Sequence, residues 1–265
     1  MSNTLTCTLI QSNLHWEDVA ANLHMFEAKI ASITTAKQVV LLPEMFTTGF
    51  SMQPEKLAEP MDGLTVNWML RMAQQHRIIL AGSVMIREND TYFNRFLWVQ
   101  PNGQIHYYDK RHLFAYGGEH EHYTAGNQRV IVQVNGWKIL LQICYDLRFP
   151  VWARQQTDTL LYDAIIYVAN WPERRSHAWR TLLQARAIEN QCYVIGVNRV
   201  GSDGNGVPHI GDSMVADALG TVCYHQQHVE DIHTITLDKT HLEQLRTQLP
   251  FLKDADAFTL IHHNE

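Results

Sequence analysis

The chain has 265 residues, 46% hydrophobic and 18% charged, the make-up of a globular protein with a well-filled core and not of a disordered one. Its formal charge of −6 and the lack of any Lys/Arg run give no electrostatic case for nucleic acid or an anionic membrane surface, and no apolar stretch approaches the roughly 20 residues of a membrane span. The four cysteines (Cys7, Cys144, Cys192, Cys223) lie far apart without a Cys-x-x-Cys pair, as reduced thiols do, and the first ten residues lack the basic segment and apolar core of a signal peptide, so a cytoplasmic location is expected.

In chain order, Leu5 to Gln11 alternates as a strand does. Asp18 is placed to cap a helix whose apolar positions Val19, Leu23, Phe26, Ile30 and Ile33 recur every three or four residues, one face packed on something flat. Val39-Val40-Leu41-Leu42 is a continuous apolar run, expected of a strand covered on both faces, and it ends at Pro43-Glu44. A helix is predicted over 62–77 and a buried strand over 78–84. Residues 93–99 and 104–108 flank the turn Pro101-Asn102-Gly103 as a hairpin. A loop rich in Gly, His and Glu (113–127) precedes a second hairpin, 129–134 and 137–143, around Asn135-Gly136.

That hairpin runs into Cys144. Pro150 suits the first turn of a helix, so Cys144 is expected at a strand-to-helix elbow, where open α/β sheets place their ligands. A strand follows over 164–169, then a helix capped by Ser176 and running to about Gln191, with Ala178, Leu182, Ala185 and Ile188 on one face. Residues 192–198 form a strand, 214–216 and 221–225 a hairpin, 234–237 a last strand and 239–248 a short helix. Cys7, Cys192 and Cys223 fall in these strands and are expected in the core. The glycine-rich loop 201–206 lacks the Gly-x-Gly-x-x-Gly spacing of a nucleotide site and carries little weight. The order predicts two packed sheets with helices outside, a single domain over residues 1–265.

Three strand ends carry reactive groups: Glu44, Lys110 and Cys144. A thiol attacks only as thiolate, which needs a base within reach or a cation beside it. Glu44 fits the base, Lys110 the cation that steadies thiolate and oxyanion, and N–H groups after Cys144 the rest of an oxyanion hole. By spacing alone, Glu44 is equally a loop carboxylate, Lys110 a surface charge and Cys144 an inert core thiol. His112 and His120-Glu121-His122 hint at a metal but lack the helical His-Glu-x-x-His spacing, and no histidine stands in a frame that would orient Cys144.

The segments Leu-Pro-Glu44, Tyr-x-Lys110-x-His-Leu-Phe and Cys144-Tyr-Asp-x-Arg-Phe-Pro resemble the Glu-Lys-Cys signature of the nitrilase (carbon–nitrogen hydrolase) superfamily, in its order and with comparable separations. Asn170-Trp171-Pro172-x-x-Arg175, His177-x-Trp179 and Arg186-Ala-Ile-Glu189-Asn190 are similar to its downstream blocks, so the resemblance covers nearly the whole chain. It implies an α/β fold of four layers, an αββα sandwich, usually paired into a dimer, with no metal and no organic cofactor.

It also implies a second glutamate beside the lysine. Glu119 is preferred to Glu121 for its place relative to Gly126. The Cys-Tyr-Asp-x-Arg-Phe-Pro form resembles the omega-amidase branch, which hydrolyses the terminal amide of short α-keto acid amides such as 2-oxoglutaramate. On that resemblance Glu44 takes and returns the proton of Cys144, Lys110 and the Tyr145 backbone N–H hold the oxyanion, and Arg175, with Arg148 as rival, binds the substrate carboxylate. Trp171, Phe114 and Tyr116 stand as pocket-lining aromatics whose ordinary alternative is packing. The rivals are another carbon–nitrogen hydrolase activity (N-carbamoyl amino acid, deaminated peptide amide or nitrile) and a non-catalytic interaction protein on the same sandwich.

Overall fold

A computed structural model describes residues 3–155 and 161–260. The first half runs β1 (Thr4–Gln11), α1 (Val19–Ser32), β2 (Val39–Leu41), α2 (Pro54–Leu57), α3 (Leu64–His76), β3 (Ile79–Glu88), β4 (Thr91–Val99) and β5 (Ile105–Asp109). The second runs α4 (Glu119–His122), β6 (Ile131–Val134), β7 (Trp137–Ile143), α5 (Pro150–Ala153), β8 (Ala164–Val168), α6 (Ser176–Asn190), β9 (Tyr193–Val197), β10 (Val200–Ser202), β11 (Pro208–Ala216), β12 (Val222–Gln227), β13 (Asp231–Asp238) and α7 (Lys239–Gln248). No helix among the described residues is long and apolar enough to cross a membrane.

Two mixed sheets result. One has the order β13-β1-β2-β3-β4-β5, the other β10-β11-β9-β8-β7-β6, with β12 added on β11. Strands β1, β2 and β3 are parallel, as are β7, β8 and β9. Each parallel core is buried on both faces, which is why its strands read as continuous apolar runs. The last strand returns to the first sheet, where β13 pairs antiparallel with the whole of β1.

Three apolar clusters mark the four layers. The central one interleaves Leu9, Leu41 and Trp98 of the first sheet with Leu141, Ile166 and Ile195 of the second. A second joins the outer face of the first sheet to α1 and α3 through Phe26, Ile30, Met69 and Met72. The third joins the other sheet to α6 through Trp179 and Leu183. Each such buried side chain contributes about 1.5–3 kcal/mol by leaving water. Helix α1 has the expected seam, with Val19 and Ile33 at its margins, and Asp18 caps it by accepting from the Ala21 N–H at 3.0 Å.

Four expectations are corrected. The face of α6 turned to the sheet carries Trp179, Leu183, Arg186, Ala187 and Asn190, while Ile188 is exposed, because two polar residues share the buried face and displace the apolar pattern. Ser176 does not cap α6. Its hydroxyl donates to the buried Asp212 instead, and the N-cap position is Arg175. Cys7 and Cys192 are buried as expected, but Cys223 is exposed on β12, which hangs at the rim of its sheet. Finally, strand β3 continues to Glu88 and turns into β4 at Asn89-Asp90, both with positive φ, a tight hairpin turn that no glycine signalled.

Candidate active site

Glu44 lies three residues past β2, Lys110 directly past β5, Cys144 directly past β7 and Asn170 two past β8, so all four stand at the same edge of the sandwich. Two of these departures bend into the left-handed region, which side-chain-bearing residues rarely occupy. Met45, after Glu44, has φ 42° and Cys144 itself φ 41°. Met45 is held there by its N–H on Ser83 Oγ at 2.9 Å.

The Cys144 bend is held by Asp146, which is fully buried. One Asp146 oxygen accepts from the Ile143 N–H at 3.0 Å and the Tyr108 hydroxyl at 2.8 Å, the other from the His112 N–H at 3.0 Å and pairs with His112 Nδ1 at 2.8 Å. From the far side, buried Arg186 of α6 donates to the Leu147 carbonyl at 2.6 Å. Sequence reasoning expected a strand-to-helix elbow at Cys144, with Pro150 in the first turn of the helix. A 3₁₀ turn over Cys144–Arg148 intervenes, and α5 begins at Pro150 as predicted.

The loop after Lys110 folds back on it. The Gly126 N–H donates to the Lys110 carbonyl at 2.9 Å, and a Cβ at Gly126 would lie 2.2 Å from the Asp109 carbonyl oxygen, so a side chain there would push the loop off the strand end. Glu119 is thereby brought under Lys110. The ammonium donates to Glu119 Oε2 at 2.8 Å and Oε1 at 3.0 Å and to Glu44 Oε1 at 2.9 Å, with all three side chains excluded from solvent. Glu121, two residues further along α4 and so on its opposite side, is exposed. Among the described residues no group of three His, Cys, Asp or Glu side chains could hold a metal ion.

The remaining carboxylate oxygens are also satisfied. Asn94 Nδ2 bridges Glu44 Oε1 at 2.8 Å and Glu119 Oε1 at 3.2 Å, the Phe114 N–H meets Glu119 Oε2 at 2.6 Å and the Asn170 N–H meets Glu44 Oε2 at 2.8 Å. Burial pulls the Lys110 pKa down, but Glu119 and Glu44 outweigh it and hold the ammonium above its ordinary range. Burial pushes Glu119 up, against the pull of Lys110. Burial, then the charge of Glu44, pushes the Cys144 thiol well up, with Lys110 opposing, which favours the protonated sulfur at rest.

These groups open on a cavity of about 250 Å³. Arg148, Arg174 and Arg175 stand around it with Phe114, Tyr145 and Trp171. Each guanidinium rests on an aromatic ring: Arg148 on Trp171 at 4.9 Å, Arg175 on Phe114 at 5.0 Å and Arg174 on Tyr116 at 5.9 Å. Among the described residues none of the three has a carboxylate within 4 Å. Burial, then Arg174, lowers the Arg175 pKa.

Eight of the residues singled out from the sequence therefore lie together: Glu44, Lys110 and Glu119 in a buried cluster, half-buried Cys144 next to them, and Tyr145, Phe114, Trp171 and Arg175 lining the same cavity. Sequence reasoning missed Asn94, a lone polar residue inside a strand. It quoted Asn170 without a role, and it set aside the glycine-rich loop, whose Asp203 and Asn205 form a wall of the cavity with Val207 and buried His209 just after it.

Comparison with known proteins identifies the family. The carbon–nitrogen hydrolase family model matches residues 6–247. The omega-amidase YafV of Escherichia coli (strain K12) is 48% identical over 261 residues, covering 97% of this chain and 98% of that protein. The 2-oxoglutaramate amidase of Bacillus subtilis (strain 168) is 32% identical over 257 residues, 96% of this chain and 98% of its own. Among solved structures, a CN-hydrolase superfamily protein from Xanthomonas campestris, with an arsenic adduct in its active site, superposes with a TM-score of 0.95 at 43% identity over 98% of this chain and all of that one. A Saccharomyces cerevisiae protein of branch 10 of the nitrilase superfamily gives 0.83 at 25% identity over 94% of this chain and 96% of its own. The chain is an enzyme of the carbon–nitrogen hydrolase family.

Proposed function

We propose that this enzyme hydrolyses the terminal amide of small α-keto acid amides, 2-oxoglutaramate and 2-oxosuccinamate, to the acid and ammonia through a thioester on Cys144. One observation carries the reading. A thiol, a carboxylate and a buried ammonium line one cavity with three guanidinium groups that have no carboxylate partner among the described residues. The first three suit acyl transfer, and the arginines suit an anionic substrate. Likeness to the omega-amidase YafV and to the 2-oxoglutaramate amidase supports the same substrate class.

In this mechanism Glu44 takes the Cys144 proton as the sulfur attacks the amide carbon. Lys110 and the Tyr145 N–H receive the charge that develops on the carbonyl oxygen. Glu44 passes the proton to the departing nitrogen, ammonia leaves and the acyl group stays on sulfur. Glu44 then takes a proton from water, hydroxide adds to the thioester, and the thiol is restored as the acid departs. Glu119 acts by holding Lys110, and Arg175 binds the substrate carboxylate. The homodimer and the cytoplasmic location belong to the same proposal and are checked by light scattering and cell fractionation.

The test is ammonia release from 2-oxoglutaramate, 2-oxosuccinamate, glutamine, an N-carbamoyl amino acid and an aliphatic nitrile, by wild type and Cys144→Ala. Turnover confined to the keto-acid amides and lost in the variant is expected. Turnover of the carbamoyl compound or nitrile alone would replace this reading with a neighbouring one, and activity surviving without Cys144 would end it.

A further inference from the structure

The side chain of Asn170 is fixed in one orientation. Its Nδ2 donates to the main-chain carbonyl of Glu44, a group that can only accept, so the amide nitrogen and oxygen cannot be exchanged. Oδ1 is then the other terminus. Among the described residues nothing donates to it, although the residue is only 6% exposed. Native structures rarely leave a buried amide oxygen without a donor.

Asn170 lines the same cavity as Cys144 and Glu44, and its own N–H rests on Glu44 Oε2 at 2.8 Å. In the mechanism above, Glu44 protonates the departing nitrogen, which must come within hydrogen-bond reach of the Glu44 carboxylate and therefore beside Asn170. We infer that Asn170 Oδ1 accepts a hydrogen bond from the substrate's carboxamide N–H, making Asn170 a residue that selects amides and orients the leaving nitrogen. The inference rests on the amidase reading and extends it.

The physical reason lies in the nitrogen lone pair. In the planar amide it is delocalised into the carbonyl, and when sulfur adds it localises and must turn toward the proton on Glu44. An N–H held on Asn170 Oδ1 restricts rotation about the C–N bond and aims that lone pair. An ester oxygen has no hydrogen to donate. A site with a buried acceptor discriminates against the analogue that leaves it unpaired.

The experiment measures kcat and KM of wild type, Asn170→Ala and Asn170→Asp on 2-oxoglutaramate and on the γ-methyl ester of 2-oxoglutarate. Iodoacetamide labelling of Cys144 counts competent sites. Loss of the Nδ2 contact to Glu44 affects both substrates alike, whereas loss of Oδ1 affects the amide alone. The amide-to-ester ratio of kcat/KM is expected to fall about tenfold in Asn170→Ala and to be retained in Asn170→Asp, which keeps an acceptor oxygen. Equal losses on both substrates in Asn170→Ala would overturn the inference and leave the amidase reading intact. A wild type that hydrolyses neither compound would overturn both. Should Asn170→Ala fail to label, wild type alone carries the test: the N,N-dimethyl amide, without an N–H, should lose far more kcat/KM than the N-methyl amide, and equal loss contradicts the role of Asn170.

Discussion

Lys110 Nζ lies 2.9 Å from Glu44 Oε1, and neither side chain reaches solvent. The contact ties the end of β5 to the end of β2 through a charge pair whose desolvation is offset only because Glu119 and Asn94 complete it. Removing one member of such a set leaves an uncompensated charge, which costs more than the intact pair contributes.

Lys110→Met should therefore lower unfolding stability by about 3–5 kcal/mol as well as abolish turnover. Adding Glu119→Gln, which removes one of the two stranded carboxylates, should restore part of that stability without restoring activity. Urea unfolding of the single and double variants checks this. A double variant less stable than Lys110→Met would contradict it.

Cys144 occupies φ 41°, a conformation that glycine adopts freely and alanine does not. Cys144→Gly should accordingly be more stable than Cys144→Ala by about 1 kcal/mol, the reverse of the order expected at an ordinary position. Chemical denaturation of the two inactive variants decides. Alanine as the more stable of the two would show that the elbow relaxes.

His209 is buried in the cavity wall, where burial and then the charge of Arg199 depress its pKa to about 4. The folded protein binds this proton less readily than the unfolded chain, so the contribution to stability is complete above the ordinary histidine value of 6.5 and is lost as pH falls from there toward about 4. Replacing His209 by Asn should flatten the acid limb of the stability–pH profile over that window, by about 3 kcal/mol at most. An unchanged limb would mean that His209 titrates normally.

Arg175→Ala should raise KM for 2-oxoglutaramate about 10–100-fold, the loss of a charge-assisted contact, and leave propionamide hydrolysis nearly unchanged. Initial rates on both substrates separate the roles. If Arg148→Ala produces the effect and Arg175→Ala does not, the carboxylate sits at the other arginine.

Much of the architecture was legible because it rests on period and punctuation. The 4, 3, 4, 3 spacing of α1, the apolar runs of β2 and β8 and the Asn135-Gly136 turn each have one physical solution. Glu44, Lys110 and Cys144 were legible because each closes a strand inside a recognisable motif. The phase of α6 was not, because Arg186 and Asn190 are buried for their hydrogen bonds, to the Leu147 carbonyl and to the Gln155 N–H, and apolar periodicity is blind to such residues. Asn94, Asp146 and His209 escaped for the same reason, since their significance lies in partners 25 to 50 residues away in the chain or in burial by another loop. Cys223 shows the converse, a strand position taken for core that lies at the rim.

The central claim is that the acyl group passes through Cys144 with Glu44 as its proton acceptor. Acid-quenched intact-mass spectrometry during turnover of 2-oxoglutaramate tests it most directly. The account predicts a transient adduct of the substrate's acyl mass, mapped to Cys144, absent in Cys144→Ala and strongly reduced in Glu44→Gln. Steady turnover by Cys144→Ala, or an adduct formed at the wild-type rate in Glu44→Gln, would contradict it.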